Sequence, residues 1–247
     1  MKTNYHMHTT RCNHAIGSDE DMILACIDAE FEEVGFSCHS PWPVKHPRHM
    51  RMRLDQLDEY IASIRSLQEK YKHQIQIKIG LECEYYEDDM DWLEQIKVEK
   101  GIDYLLLGNH FEKNEQGLYY GAPTSRIEDL ESYVNQAIKG MERGCYAYFA
   151  HPDLIHFQGN ESDYETYMTK LCEVAKKTNT PLEYNLLGVA GHRHYPCDRF
   201  WEIVSQVGCR AIIGYDAHDP QHLKNDAIYR QAYQFLKKLD IDIVEKL

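Results

Sequence analysis

The chain has 247 residues, and 27 Lys and Arg against 40 Asp and Glu leave a formal net charge of −13. This acidity argues against a long nucleic acid as the main partner, because binding to a phosphate backbone requires a basic surface. No apolar run approaches the roughly 18 residues of a membrane span, and the N-terminal sequence lacks a signal-peptide pattern. We therefore expect a folded cytoplasmic protein that binds no membrane.

The chain contains 14 histidines among its 40 acidic residues, and this combination is its unusual feature. Hydrophobic residues make up 43% of the chain, which excludes the depleted composition of a disordered protein. The eight cysteines include no CxxC pair, which indicates reduced thiols rather than a disulfide framework.

Short β-rich runs alternate with helical patterns along the whole chain, which is typical of an α/β protein. Residues 104–107 are all apolar, as expected for a parallel strand that is buried on both faces. We predict seven strands, near residues 2–7, 34–39, 75–85, 102–109, 146–151, 181–187 and 210–216.

Apolar residues three and four positions apart predict the helices between these strands. Gly35 and Gly144 are predicted to follow the ends of two of them. Three helices are predicted to begin at capping-box spacings, which are Ser18 with Asp21, Ser125 with Glu128 and Ser162 with Glu165.

Seven consecutive βα units without a linker or repeat favour a single domain over residues 1–247, folded as a closed or nearly closed parallel barrel. A doubly wound open sheet is the alternative. In either architecture ligands bind at the carboxyl ends of the strands, so the residues at those ends indicate the function.

Six of the seven predicted strands carry a His, Glu or Asp to this edge. His6 and His8 are two apart on the first strand, so both imidazoles face one point and can bind a metal as a pair. Burial of Glu82 and Asp216 without partners would cost several kcal/mol, a penalty that bound divalent cations remove. The candidate ligands are His6, His8, His14, His39, Glu82, His110, His151, Asp216 and His218.

Nine candidates exceed the needs of one ion, since a zinc site uses about four protein ligands. We therefore predict two or three divalent ions, such as Zn, Mn or Fe, with a carboxylate that bridges at least two of them.

The same motifs stand in a specific order: His6-Met7-His8-Thr9, His39, Gly80-Leu81-Glu82, His110, Ala150-His151-Pro152-Asp153 and Asp216-Ala217-His218. This order resembles the polymerase-and-histidinol-phosphatase (PHP) family over essentially the whole chain. The resemblance implies a distorted (βα)7, TIM-like barrel with three divalent metals. By resemblance, the first metal is held by His6, His8, Glu82 and Asp216, the second by Glu82, His110 and His151, and the third by His14, His39 and His218.

Within this family the chain is most similar to stand-alone histidinol-phosphate phosphatases, which hold the substrate phosphate with arginines. The resemblance assigns one such role to Arg193, while His156 stands where a second arginine is expected. We therefore expect a small phosphorylated substrate bound by Arg193, His194 and His156.

Hydrolysis is expected to use a metal-bridging hydroxide, because two metals that share a carboxylate lower the pKa of bound water to about 7. The catalytic residues are predicted to be Glu82, Asp216, His218 and Asp153. Protonation of the leaving alcohol is assigned to His192, His194 or Asp153, although Asp153 is equally suited to orienting a ligand histidine.

Two further features flank the predicted site. The Pro-rich segment 41–49 is either a basic lid over an anionic substrate or a surface loop. Four tyrosines either line an imidazole pocket or pack in the core and at its rim; these are Tyr85, Tyr86, Tyr119 and Tyr120.

Three other functions remain open from the sequence. A phosphodiesterase or nuclease can use the same metals, although the acidity disfavours long nucleic acid. An amidohydrolase-type deacylase also begins with His-x-His, but it has no need of a third ligand set such as His14 and His39. A non-enzymatic metal-binding or regulatory protein is the third of these alternatives. The sequence does not determine the oligomeric state.

Overall fold

The computed structural model describes residues 2–45 and 47–247, so His46 of the predicted lid lies outside the described residues. Eight parallel strands form one sheet in which each strand pairs with the next along the chain. The strands are β1 (Thr3–Asn4), β2 (Glu33–Phe36), β3 (Gln76–Cys83), β4 (Tyr104–Leu107), β5 (Tyr148–Phe149), β6 (Leu182–Asn185), β7 (Arg210–Gly214) and β8 (Asp242–Ile243). Strands are thus confirmed in all seven predicted places, and β8 is an additional short strand.

Helices connect successive strands and cover the outer face of the sheet. They are α1 (Asp19–Asp28), α2 (Leu57–Tyr71), α3 (Met90–Lys100), α4 (Ile127–Arg143), α5 (Glu161–Thr178), α6 (Leu186–Ala190), α7 (Asp198–Val207) and α8 (Asp226–Lys238). No helix among the described residues is long and apolar enough to cross a membrane.

The sheet closes between its first and seventh strands. Met7, just after β1, bridges to Ala217, just after β7. The backbone N–H of His8 donates to Ala217 O at 2.9 Å, and that of Ala217 donates to His6 O at 3.1 Å. The strand β8 pairs with β7 near the opposite end of the sheet. The predicted distorted (βα)7 barrel is therefore confirmed, and the open doubly wound sheet is excluded.

The predicted helix starts are only partly correct. The Ser18 capping box is confirmed, with the Asp21 N–H donating to Ser18 Oγ at 3.1 Å. The other two are wrong, because α4 begins after Arg126 without a side-chain cap and α5 is capped by Asn160. An Asn side chain that accepts from a nearby N–H caps a helix as well as Ser does, which the capping-box pattern does not detect.

Gly35 lies inside β2, so its prediction as a helix end is wrong, whereas Gly144 does follow α4 with a φ of 73°. A Cβ at Gly35 would lie 2.2 Å from the hydroxyl oxygen of Tyr104. That buried hydroxyl donates to the carbonyl oxygens of Tyr5 and Phe36. Gly35 is thus required by the packing of a buried tyrosine.

Candidate metal centre

All nine predicted ligands lie at the carboxyl ends of the strands, around the buried carboxylate of Glu82. Glu82 Oε1 lies 2.8 Å from His151 Nε2 and 3.5 Å from His110 Nε2. Its other oxygen, Oε2, lies 2.9 Å from His39 Nδ1. One carboxylate thus faces two separate groups of imidazoles, as a bridging ligand must.

Four ligand atoms form a compact set, consisting of Glu82 Oε2, Asp216 Oδ1 and the Nε2 atoms of His6 and His8. The four nitrogen-to-oxygen distances between them are 3.5, 3.4, 3.6 and 3.2 Å. Bonds of about 2.0–2.1 Å in a tetrahedral site separate neighbouring ligand atoms by about 3.3 Å. All four atoms are buried without a hydrogen-bond partner. The set therefore fits one tetrahedral ion.

The remaining histidines form a looser group. Ligand atoms of His8, His39 and His218 lie within 4.8 Å of one another, and the ring of His218 stacks on that of His8 with centroids 4.0 Å apart. His14 is exposed, and its Nδ1 donates to Cys12 O at 2.7 Å. The described residues thus form several groups that can hold metal ions, of which the one nearest His14 is the most open.

Two ligands have a backbone conformation that is rare outside glycine. The φ angles of His151 and Asp216 are 34° and 49°. Such angles cost free energy and persist only where the surrounding structure holds the residue in place. The His151 N–H donates to Glu183 Oε2 at 3.0 Å, and Asn185 donates to Asp216 Oδ2 at 3.1 Å. These contacts direct both side chains into the barrel mouth.

Two carboxylates that we did not predict as site residues orient the histidines. His6 Nδ1 donates to Glu183 Oε1 at 2.7 Å, and His110 Nδ1 donates to Glu84 Oε1 at 2.7 Å. Such contacts fix which ring nitrogen faces the metal. The sequence does carry a signal for each: Glu84 is two residues after Glu82 in the strand predicted near residues 75–85, and Glu183 lies in the predicted strand to which no ligand was assigned.

The electrostatics of the cluster favour bound cations. Burial disfavours a charged His6, but the carboxylates of Asp216 and Glu183 hold its pKa well above the ordinary value. Burial likewise opposes ionisation of Glu82, but the surrounding imidazoles, His39 first, hold the pKa of Glu82 well below its usual range. Ionised carboxylates at the centre of the cluster thus attract positive charge.

A cavity of about 640 Å³ opens above the cluster. Glu82, Asp216 and His218 reach it, together with the exposed guanidinium of Arg193 and the ring of Tyr119. Arg193 donates to the hydroxyl of Tyr195. A small anionic molecule in the cavity would therefore lie between the candidate metal ligands and Arg193.

The structure does not bring four other predicted site residues into this cavity. Asp153 is buried, and its Oδ2 accepts from the Cys197 N–H at 2.7 Å, while burial raises the pKa of Asp153 to about 7. His156 and His194 stack on each other with centroids 4.1 Å apart, and His192 is exposed. None of the four is among the described residues that line the cavity.

Part of the segment 41–49, which we predicted as a lid or a surface loop, lines the cavity. Arg48 and His49 line it, whereas Pro41 and Trp42 are buried. Of the four tyrosines, Tyr119 lines the cavity, Tyr85 is half-buried outside its described lining, and the other two are buried, namely Tyr86 and Tyr120.

Comparison with protein families matches residues 4–186 to the PHP domain. The chain belongs to the PHP family. A Deinococcus radiodurans protein named "Probable histidinol-phosphatase" is 26% identical over 233 residues, which cover 87% of this chain and 85% of that protein. A Schizosaccharomyces pombe protein with the same name is 29% identical over 119 residues, covering 44% of this chain and 39% of the relative.

The fold is also found in a solved structure. The crystal structure of Lactococcus lactis histidinol phosphate phosphatase, complexed with zinc, L-histidinol and phosphate, has a TM-score of 0.77 with this chain. The two chains are 20% identical, and the match covers 98% of this chain and 95% of the other. At this identity the likeness is one of fold.

Proposed function

We propose that this PHP protein is a metal-dependent phosphomonoesterase that hydrolyses L-histidinol phosphate to L-histidinol and phosphate. The observation that carries the proposal is the tetrahedral set of His6, His8, Glu82 and Asp216 beneath a cavity that Arg193 also lines. The near full-length similarity to the Deinococcus protein supports the substrate.

We further propose two or three divalent ions at the nine ligands predicted from the sequence. The buried atoms without partners support this, because each would otherwise lose its hydration with nothing in return. When bound, the ions would lower the pKa of coordinated water and offset the charge of the phosphoryl group.

The protein's own residues would then bind and orient the substrate. Arg193, which lines the cavity, would bind the phosphate, because a planar guanidinium can donate two parallel hydrogen bonds to phosphate oxygens. Glu82, Asp216 and His218 are proposed as catalytic residues. All three line the cavity and would face the bound ester. Glu183 fixes the tautomer of His6, so that Nε2 of His6 faces the metal site.

We also propose that residues 1–247 act as one such unit in the cytoplasm, without long nucleic acid as a partner. The eight cysteines are all free, six of them buried, which suits a reducing compartment. The net charge of −13 supports a small substrate over a polyanion.

A substrate panel tests the function. Purified protein loaded with zinc or manganese is assayed with L-histidinol phosphate, an aryl phosphate, a bis-aryl phosphodiester and an N-acyl amino acid. We expect kcat/KM for L-histidinol phosphate to exceed that for the aryl phosphate by about 100-fold, as recognition of the whole substrate requires. A preference for the diester or the N-acyl compound would replace the proposal, and Glu82→Gln controls for contaminating phosphatases.

A further inference from the structure

Arg51 is a buried arginine that lies between two buried carboxylates outside the described lining of the cavity. Its Nη2 donates to Glu84 Oε1 at 2.7 Å, and its Nε donates to Glu115 Oε1 at 2.6 Å. The side chain of Arg51 is 0% exposed. A charge removed from water in this way must be compensated by its partners, so the three side chains form one ion-pair network.

Glu84 connects Arg51 to the metal centre through His110. The oxygen Oε1 of Glu84 that accepts from Arg51 also accepts from His110 Nδ1, at 2.7 Å. Glu84 Oε2 accepts from the His110 backbone N–H at 2.7 Å. With Nδ1 held in this way, His110 Nε2 faces Glu82 Oε1 at 3.5 Å.

Glu115 connects the same arginine to the wall of the cavity. Its Oε2 accepts from the Arg48 backbone N–H at 2.8 Å, and its Oε1 also accepts from the Tyr86 hydroxyl at 2.8 Å. Arg48 lines the cavity. Arg51 therefore joins a cavity wall to a metal-facing histidine without reaching the cavity itself.

We propose that Arg51 is a positioning residue that acts through Glu84 to hold His110 in its metal-binding orientation. The proposal rests on the proposed metal centre. Loss of Arg51 would leave Glu84 as a buried charge with one fewer partner, and the hydrogen bond from His110 would lose its fixed acceptor. The effect would fall on the ion held by Glu82, His110 and His151, whereas the tetrahedral set has no contact with Arg51.

The variant Arg51→Lys tests this proposal, because an ammonium group keeps the charge but cannot reproduce the planar fork that holds both carboxylates. Zn²⁺ is titrated into metal-free protein, and the stoichiometry and dissociation constant of each equivalent are measured. We expect one equivalent to bind about 10–100-fold more weakly and the others to be unchanged. Activity should return when zinc saturates the weakened site.

Arg53→Lys is the matched control, because Arg53 is exposed and pairs with Asp55. Its zinc binding should equal that of the wild type. Glu84→Gln provides a second route to the same effect, and the double variant with Arg51→Lys should lose no more affinity than the worse single variant.

Unchanged zinc binding in Arg51→Lys would overturn the proposal while the metal centre stands. Equal weakening of every equivalent together with a lower Tm would also overturn it, since that pattern indicates a general structural role. A wild-type protein that binds no zinc would instead overturn the metal centre, and this proposal with it.

Discussion

His6 and Glu183 are 177 residues apart in the chain, yet His6 Nδ1 donates to Glu183 Oε1 at 2.7 Å in the closed barrel. Glu183 also accepts from the His151 N–H and from Asn185 Nδ2. A Cβ at Gly214 would lie 1.8 Å from Glu183 Oε1, so the neighbouring strand leaves room for this carboxylate only because it has a glycine there.

The contacts of Glu183 predict the effect of Glu183→Gln. Every group around the carboxylate is a donor, so an amide NH₂ would face another donor and His6 would lose its fixed orientation. We expect metal affinity to fall by about 10–100-fold, measured by zinc titration of metal-free protein. Glu202→Gln, on the exposed face of α7, is the control. Unchanged affinity would show that Glu183 does not orient His6.

Arg193→Ala is expected to raise KM for the phosphomonoester about 10–100-fold, because a charged hydrogen bond contributes about 1.5–3 kcal/mol. Metal content should remain that of the wild type, as Arg193 contacts none of the proposed ligands by hydrogen bond. Steady-state kinetics and elemental analysis check both points. Arg126→Ala removes an exposed arginine at the start of α4 and should change neither. A wild-type KM in Arg193→Ala would exclude it from the phosphate site.

Removal of the metals is expected to destabilise the protein. Each ion that binds only the folded state at 100 times its Kd contributes about 2.7 kcal/mol, equivalent to roughly 5–10 °C in Tm for a chain of this size. Thermal unfolding with and without chelator measures the difference, and added Zn²⁺ should reverse it. The change should be smaller in Glu82→Gln, which lacks the bridging carboxylate. An unchanged Tm in the wild type would contradict the metal centre.

The raised pKa of Asp153 leads us to expect that the stability of the protein depends on pH. Burial raises its pKa from 3.8 to about 7, so between these pH values the folded protein keeps a proton that the unfolded chain has released. The contribution of Asp153 to the free energy of unfolding should therefore fall by about 1.4 kcal/mol for each pH unit in this window. It should be level above about pH 7.

The variant Asp153→Asn isolates this contribution, since an amide does not titrate there. Denaturant unfolding of both proteins, in chelator from pH 4 to 8, should show the wild type losing stability relative to the variant as pH rises. A difference that is independent of pH would show that Asp153 ionises normally.

Gly35→Ala is expected to destabilise the barrel by about 1–3 kcal/mol, because its methyl group would overlap the ring of Tyr104. Gly144→Ala serves as comparison, since nothing lies within 4 Å of a Cβ there and only its positive φ opposes the change. In denaturant unfolding, the free energy of unfolding of Gly35→Ala should be equal to or lower than that of Gly144→Ala. Wild-type stability in Gly35→Ala would refute the packing role of Tyr104.

The sequence by itself determined the fold class and the nine candidate ligands, seven of which line one cavity while His6 and His8 are buried beneath it. Both follow from local rules: residues two apart on a strand share a face, and parallel strands bring their carboxyl ends to one edge. The pair of His6 and His8 and the position of Glu82 could therefore be predicted without coordinates.

Only the tertiary structure decided which other groups support that cluster. Glu183 reaches His6, and Arg51 reaches Glu84, through contacts that exist only once the barrel is closed and the loops are packed. The same packing turns Asp153 towards the Cys197 backbone and away from the cavity. Sequence patterns record the face of a strand, but the direction of a loop side chain depends on distant neighbours that compete for its hydrogen bonds.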